Sequence, residues 1–233
     1  LKKIQKSKIR NRKVKWIKNL NEINYGPIIF FGNEFFDALP IKQIWKKGKV
    51  FLEKYVVLAK NKKKIKFLYK KANKNLINNI KKLNLISKEN IIEYPVDEIK
   101  FINLIAKKIK KYNGGLLTLD YGHTEIKNHN TLRSISNHKY IDILLKPGDA
   151  DITHNINYNL FLNILRNNNL QVEKIVTQNE FLQKLGIIER ANILSKKMNF
   201  KKKAEMFYRL KKLIDHKEMG NIFKVAFAKK KRL

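Results

Sequence analysis

Two apolar runs in this chain end in the same way, and that repetition limits the fold more than any other feature. Ile28-Ile29-Phe30-Phe31 runs into Gly32-Asn33-Glu34, and Leu116-Leu117-Thr118-Leu119 runs into Asp120-Tyr121-Gly122. Neither run alternates apolar with polar residues, which suits strands buried on both faces in a parallel sheet covered by helices. Each then changes abruptly to an acidic residue and a glycine, the punctuation of a tight turn at a strand's carboxyl end. Helical patterns fill the spaces between. Pro95-Val96-Asp97 opens a helix with Ile99, Ile102, Ala106 and Ile109 at helical spacing, Asp97 as its expected cap and Gly114-Gly115 as its stop. Further helices are expected at 76–85 and 159–165, with strands at 170–176 and 222–228. Thr177-Gln178-Asn179-Glu180 reads as a capping box whose helix ends at Gly186, and two more amphipathic helices fall between 188 and 214. The alternation predicts an α/β fold built on a mostly parallel sheet.

Residues 41–69 break that rhythm. Strand-like runs at 41–45, 50–58 and 65–69 are separated by Lys46-Lys47-Gly48-Lys49 and Asn61-Lys62-Lys63-Lys64. This predicts an antiparallel insertion between two α/β units. It is a candidate platform for a protein substrate, and equally a lid or a dimer surface. Residues 35–40 read as a short helical turn closed by Pro40, and 121–158 include a polar stretch rich in His and Asn.

Length allows one domain with a sizeable core. No apolar run approaches the ~18 residues of a membrane span, and no signal peptide is visible, so membrane insertion is not expected. The chain has no cysteine, which excludes disulfides, thiolate metal sites and a cysteine nucleophile. These features predict a soluble intracellular protein, cytoplasmic in a bacterium. The formal net charge is +33, from 52 Lys and Arg against 19 Asp and Glu. Selected affinity for nucleic acid is one reading. The other is compositional bias, because lysines are spread along the whole chain together with abundant Asn and Ile. Both readings predict non-specific, salt-sensitive adhesion to polyanions. The chain starts at Leu1 with no methionine before Met198, and its first nine residues read as a helix already under way. A fragment is therefore expected.

In an open parallel sheet, ligands bind beyond the carboxyl ends of the strands. That rule selects Gly32-Asn33-Glu34 with Asp37, and Asp120-Tyr121-Gly122 with His123. The glycines would let another molecule approach the backbone. The carboxylates would orient a cationic substrate or accept a proton, or else merely cap the next turn. His123, His129, His138 and His154 have no metal-ligand spacing, and no zinc signature exists, so no metal is expected. Trp16 and Trp45 are candidates for stacking on a ligand or for packing, and Phe35 and Phe36 for packing beneath the site.

The block Asn33-Glu34-Phe35-Phe36-Asp37-Ala38-Leu39-Pro40-Ile41, followed by Gln43, resembles the signature of the MidA-like methyltransferases. Asp120-Tyr121-Gly122-His123 resembles that family's second signature. Its third is matched by Thr131-Leu132-Arg133, His138, Tyr140, Asp142 and Pro147-Gly148-Asp149-Ala150-Asp151-Ile152-Thr153. Thr177-Gln178, Glu180-Phe181-Leu182, Leu185-Gly186-Ile187, Met219-Gly220 and Phe223-Lys224-Val225 are similar to its C-terminal part. The resemblance implies a class I, Rossmann-like methyltransferase fold using S-adenosylmethionine, with residues 28–31 as strand four, 116–119 as strand five and the first strands missing. Gly32 and Asn33 would line the cofactor's far side. Glu34, Asp37 and Asp120 become candidate catalytic groups that hold an arginine guanidinium, with Tyr121 and His123 as candidate substrate contacts. The partner implied is a protein substrate, with a respiratory complex I subunit as one candidate; a homodimer is expected if residues 41–69 form a dimer surface. One departure is plain: the glycine-rich cofactor loop of that fold is not present before Gly26. Nucleic-acid methylation and a non-catalytic binding or assembly role remain the rival readings.

Overall fold

The computed structural model describes residues 2–9, 13–59, 64–86, 90–125, 130–137 and 139–231. After a short helix, α1 (Lys2–Lys8), the chain runs β1 (Ile28–Asn33), β2 (Lys42–Lys47), β3 (Val50–Leu58), β4 (Ile65–Lys71) and α2 (Lys74–Lys82). Next come β5 (Ile91–Tyr94), α3 (Val96–Tyr112), β6 (Gly114–His123), β7 (Arg133–Ser136), β8 (Lys139–Ile141), β9 (Asp151–Thr153) and β10 (Ile156–Asn157). The rest is α4 (Tyr158–Asn167), β11 (Leu170–Val172), β12 (Val176–Thr177), α5 (Gln178–Lys184), α6 (Ile187–Ser195), α7 (Phe200–Ile214), α8 (Met219–Ile222) and β13 (Phe223–Lys230).

The central sheet is ordered β1-β6-β13-β11, with β10 also on β6 and β12 also on β13. β1 and β10 run parallel to β6, whereas β13 runs antiparallel to β6 and to β11 and β12. The α/β class is as expected, but the sheet is mixed rather than mostly parallel. An apolar run reports burial and not direction; β13 returns after a helical connection and lies reversed beside β6.

Helices α3 and α4 cover one face. α3 buries Ile102, Ile105, Ala106 and Ile109, and α4 buries Leu160, Phe161, Ile164 and Leu165, against Leu116, Ala226 and Ala228 of the sheet. Burial of this many aliphatic side chains, each worth ~1.5–3 kcal/mol, is the main force holding helices to sheet. The other face corrects an expectation. β1 alternates half-buried and exposed residues, and Ile29 and Phe31 are 80% and 67% exposed. Among the described residues β1 is an edge strand, paired only with β6, and no helix covers its second face. A sequence run apolar on both faces therefore has one face unpacked here.

The insertion forms as expected and is larger than expected. β2, β3 and β4 make an antiparallel meander, and β5 joins its other edge by pairing Lys42 with Tyr94 and Trp45 with Ile91. Ile44, Ile80 and Ile92 are fully buried and continuous with the main core, so this sheet is packed into the domain. Asp97 lies in the first turn of α3 and does not cap it; Pro95 occupies the cap position without a side-chain bond. The capping box of α5 forms as read, Thr177 accepting from the Glu180 amide and Glu180 accepting from the Thr177 amide. Segment 35–40 is a single turn, closed by the Leu39 amide donating to the Phe36 carbonyl at 3.1 Å.

Candidate active site

At the carboxyl end of β6 its parallel neighbour changes. β1 pairs with β6 as far as Asn33 opposite Leu119, and β10 takes over at Ile156 opposite Gly122. Asp120 and Tyr121 sit where the two neighbours part, a topological switch of the kind that opens a crevice. Glu34 makes the departure abrupt. It is left-handed, at φ 48°, and its amide donates to the Leu119 carbonyl at 3.1 Å.

Asp120 anchors the turn that leaves β1. Its Oδ2 accepts from the amides of Phe35, Phe36 and Asp37 at 3.1, 3.0 and 3.4 Å, and its Oδ1 from the Tyr121 amide at 3.0 Å. The side chain is fully buried beneath the turn. Burial, then the charge of Asp37, push its carboxyl up to about 7, while the backbone donors pull it back toward the ionised form. With both oxygens engaged and no exposure, Asp120 faces the backbone of the turn and, unlike Glu34 and Asp37, does not line the cleft beside it.

Asp37 and Glu34 do reach the crevice. Asp37 is buried, its Oδ2 accepting from the Thr153 hydroxyl at 2.8 Å, and its Oδ1 has no partner among the described residues. Its carbonyl accepts from the His154 amide, tying the turn to the end of β9. Glu34 is exposed. The two line a cleft of about 480 Å³ with Asp151, Tyr121, Tyr140 and Arg133. Tyr121 lies against Phe223, ring centroids 4.1 Å apart. Burial and the carboxylates of Glu34, Asp37 and Asp120 push its phenol further up, which leaves it a neutral hydrogen-bond donor.

His123 is placed elsewhere. It lines a separate small cavity with Glu98, His154 and Asn155, and its Nδ1 is 3.2 Å from the Glu125 carbonyl. His154 is buried with its Nε2 3.1 Å from the Leu39 carbonyl, which makes it a brace for the turn. His129 and His138 lie outside the described residues. Among the described residues no cluster of three or more His, Asp or Glu side chains is arranged to hold a metal. Trp16 donates to Gln5, and Trp45 meets Tyr69 edge-on; both sit away from the cleft.

Sequence reading missed the groups that shape the wall. β7, β8 and β9 form a small antiparallel sheet over the cleft, and Glu93 pins the chain leading into it. Glu93 accepts from the Thr131 amide and hydroxyl at 3.0 and 2.6 Å and from Gln43 at 2.9 Å, while the Asn155 amide donates to Thr131 Oγ1 at 2.9 Å. Gln43 and Thr131 stand out in the signature blocks, but no role follows from the residues alone.

Gly32 and Asn33, the expected cofactor contacts, can be tested against their surroundings. A Cβ at Gly32 would meet Thr118 Oγ1 at 3.5 Å and Phe35 Cβ at 3.6 Å, ordinary contacts, so packing within the chain does not require a glycine there. Gly32 borders an apolar cleft of about 190 Å³ with Phe30, Phe31, Phe35 and Phe101. The buried Thr118 hydroxyl beside it has no partner among the described residues, and the Asn33 carboxamide is exposed. An apolar slot bordered by a glycine backbone fits one wall of a site for a nucleoside. Gly122 behaves differently: a Cβ there would collide with the Tyr158 ring and come 2.7 Å from the Ile156 carbonyl. What approaches its backbone is the chain's own tyrosine, not a ligand.

Residues 1–176 match an S-adenosyl-L-methionine-dependent methyltransferase family. The chain belongs to that family. It is similar to the mitochondrial protein arginine methyltransferase NDUFAF7 homolog of Caenorhabditis elegans, 33% identical over 195 residues, covering 80% of this chain and 44% of the relative. Protein arginine methyltransferase NDUFAF7 of Danio rerio is 26% identical, over 89% of this chain and 49% of its own length. The chain thus spans about half the length of the curated relatives it matches. A Burkholderia thailandensis protein crystallised with S-adenosyl-homocysteine shares the fold, with TM-score 0.75 and 20% identity, over 94% of this chain and 57% of that one. A second B. thailandensis crystal structure aligns over 98% of this chain and 62% of its own with TM-score 0.79.

Proposed function

We propose that this chain supplies the acceptor-substrate side of an S-adenosylmethionine-dependent protein methyltransferase acting on arginine. One observation carries the reading. In a chain of net charge +33, the cleft at the sheet's switch point gathers Glu34, Asp37 and Asp151 beside two tyrosines, with Arg133 the only base among the described residues that line it. A background so basic makes a local excess of carboxylates a feature of the site and not of the composition. Paired carboxylates match a guanidinium fork by charge-assisted hydrogen bonds, and aromatic rings suit its planar faces.

When bound, the cofactor would supply an electrophilic methyl on a sulfonium sulfur, which would leave as a neutral thioether as the acceptor nitrogen takes the methyl. Gly32 and Asn33 would line its far side. Glu34 and Asp37 would grip the guanidinium so that one nitrogen faces the methyl, which removes orientational freedom before reaction. Asp37 Oδ1, buried and unpartnered among the described residues, would receive the proton that the nitrogen releases. The names of the relatives support a protein acceptor and a mitochondrial setting. A complex I subunit as target, a part of this proposal, rests on resemblance; a bacterial cytoplasmic location and a homodimer are its further parts.

The test is transfer of labelled methyl from S-adenosylmethionine into a cell extract by the protein expressed from its gene, followed by separate digestion with protease and nuclease. Label released by protease and recovered as methylarginine supports the reading. Label released by nuclease, or none above a Glu34→Gln Asp37→Asn double variant, overturns it.

A further inference from the structure

Glu98 is a buried carboxyl that the methyltransferase reading leaves without a task. It opens the stripe that α3 buries, one turn before Ile102. It is fully buried, and neither of its oxygens has a hydrogen-bond partner among the described residues. It lines a polar cavity of about 20 Å³ with Glu93, His123, His154, Asn155 and Asn157. That volume accommodates one water, the natural partner for a carboxylic acid hydroxyl. Asn155 borders both this cavity and the substrate cleft.

The groups facing Glu98 come from every element around it. Asp120 approaches from β6 with Asp37 beyond it, Tyr158 from α4, Glu93 from β5, His123 from the end of β6 and His154 from the chain after β9. Asp120 and Glu98 are unequal in one decisive respect. Four backbone amides point at Asp120 and favour its charge, whereas nothing described compensates a charge on Glu98. Of two neighbouring buried carboxyls, the unpartnered one keeps its proton longer. Burial, reinforced by the charge of Asp120, pushes Glu98 up to about 8.

We propose that Glu98 is a positioning residue for the cleft: as a neutral acid it leaves Asp120 the single charge beneath the 34–37 turn, and thereby holds Glu34 and Asp37 in register for the substrate. Loss of the Glu98 proton places a second, unscreened negative charge against Asp120. The pair then relieves its repulsion by loosening Asp120 from the Phe35, Phe36 and Asp37 amides, and the cleft carboxylates shift with the turn. The consequence for substrate rests on the cleft being the acceptor site. The ionisation and its coupling to the turn do not.

The experiment is an NMR titration of the protein from pH 6 to pH 9, with the Glu98 side-chain carboxyl carbon and the amides of Phe35, Phe36 and Asp37 as probes. The expected result is an upper step near pH 8 shared by the carboxyl and the three amides, absent from the amides of Glu98→Gln, which keeps shape and neutrality. A Glu98 carboxyl that titrates in the ordinary glutamate range overturns the proposal, as do amides that show the same upper step in Glu98→Gln. If that variant fails to fold, wild-type midpoints decide: coincidence of carboxyl and amides supports the coupling, and separation overturns it. Because no methyl transfer is measured, a failed methylation assay and a failed titration are distinguishable. Where transfer is detected, Glu98→Gln is expected to lose the alkaline decline of kcat seen in the wild type.

Discussion

Asp120 Oδ2 accepts the amide of Phe36 at 3.0 Å across 84 positions of sequence, and this bond fastens the first acidic turn to the second. The two motifs that look alike in the sequence are thus unlike in use. One presents Glu34 and Asp37 to the cleft, and the other disappears beneath them to hold their backbone. Asp120→Asn tests this directly. Its amide group can face the three converging N–H donors only with its oxygen, and the charge that strengthens those bonds is lost. Burial opposes the charge more than the donors favour it, so Asp120→Asn is expected to flatten the fall of stability between about pH 6 and about pH 8. Urea denaturation at both pH values is the measurement; a decline in the variant as steep as in the wild type would show that Asp120 is not the titrating group.

The pH dependence of stability arises from the same cluster. Asp120 is raised from 3.8 to about 7 and Glu98 from 4.5 to about 8 by burial. For an acid raised in the folded state, the native protein binds more protons than the unfolded chain between the two values. Stability contributed by the pair is therefore fullest below about pH 4 and falls as pH rises toward about 8. Thermal melts from about pH 4.5 to about 8.5 are expected to show a decline shallower in Glu98→Gln than in the wild type, with the two curves converging at the acid end. Parallel curves would contradict the assignment of Glu98 as a neutral buried acid.

How far the sequence discloses this site can be judged residue by residue. Strand ends, insertion and capping box are legible because each depends on local chemistry: apolar runs, turn residues, and the Thr177–Glu180 spacing. The role of Asp120 is not, since a carboxylate at a strand end reads the same whether it meets a ligand or a distant stretch of backbone. Glu98 does leave a trace. It falls on the Ile102–Ala106–Ile109 stripe, where an acid contradicts the pattern, and a charged residue on a core stripe is a signal of a buried group. The direction of β13 and the exposed face of β1 leave none, because both depend on which elements lie alongside.

Removing the cleft carboxylates separates grip from fold. Glu34 is exposed, so Glu34→Gln is expected to leave the melting temperature within about 1 °C of wild type while binding and turnover of an arginine peptide fall ~10-fold or more, the ~1.4 kcal/mol or greater cost of losing a charge-assisted pair. Asp37→Asn also weakens the bond from Thr153, so a stability loss of ~0.5–1.5 kcal/mol should accompany its loss of activity. Equal effects of both variants on a lysine peptide and an arginine peptide would argue against guanidinium recognition.

Gly122 offers the last test, one that depends on packing alone. It lies in β6 where β10 pairs with it, and the Tyr158 ring occupies the space a side chain would need. That ring is itself fully buried, and its hydroxyl donates to the Lys224 carbonyl at 3.1 Å, which ties α4 to β13. Gly122→Ala must displace the ring or spread β6 from β10, at ~1–3 kcal/mol for overpacking. Spreading would move Tyr121, the neighbouring residue in the cleft wall. A Gly122→Ala variant with lowered stability in urea, restored in part by a second change of Tyr158→Leu, is the expected outcome. Full stability in the single variant would mean that the strand ends part more easily than this packing allows, and that the glycine is held open for something other than the tyrosine.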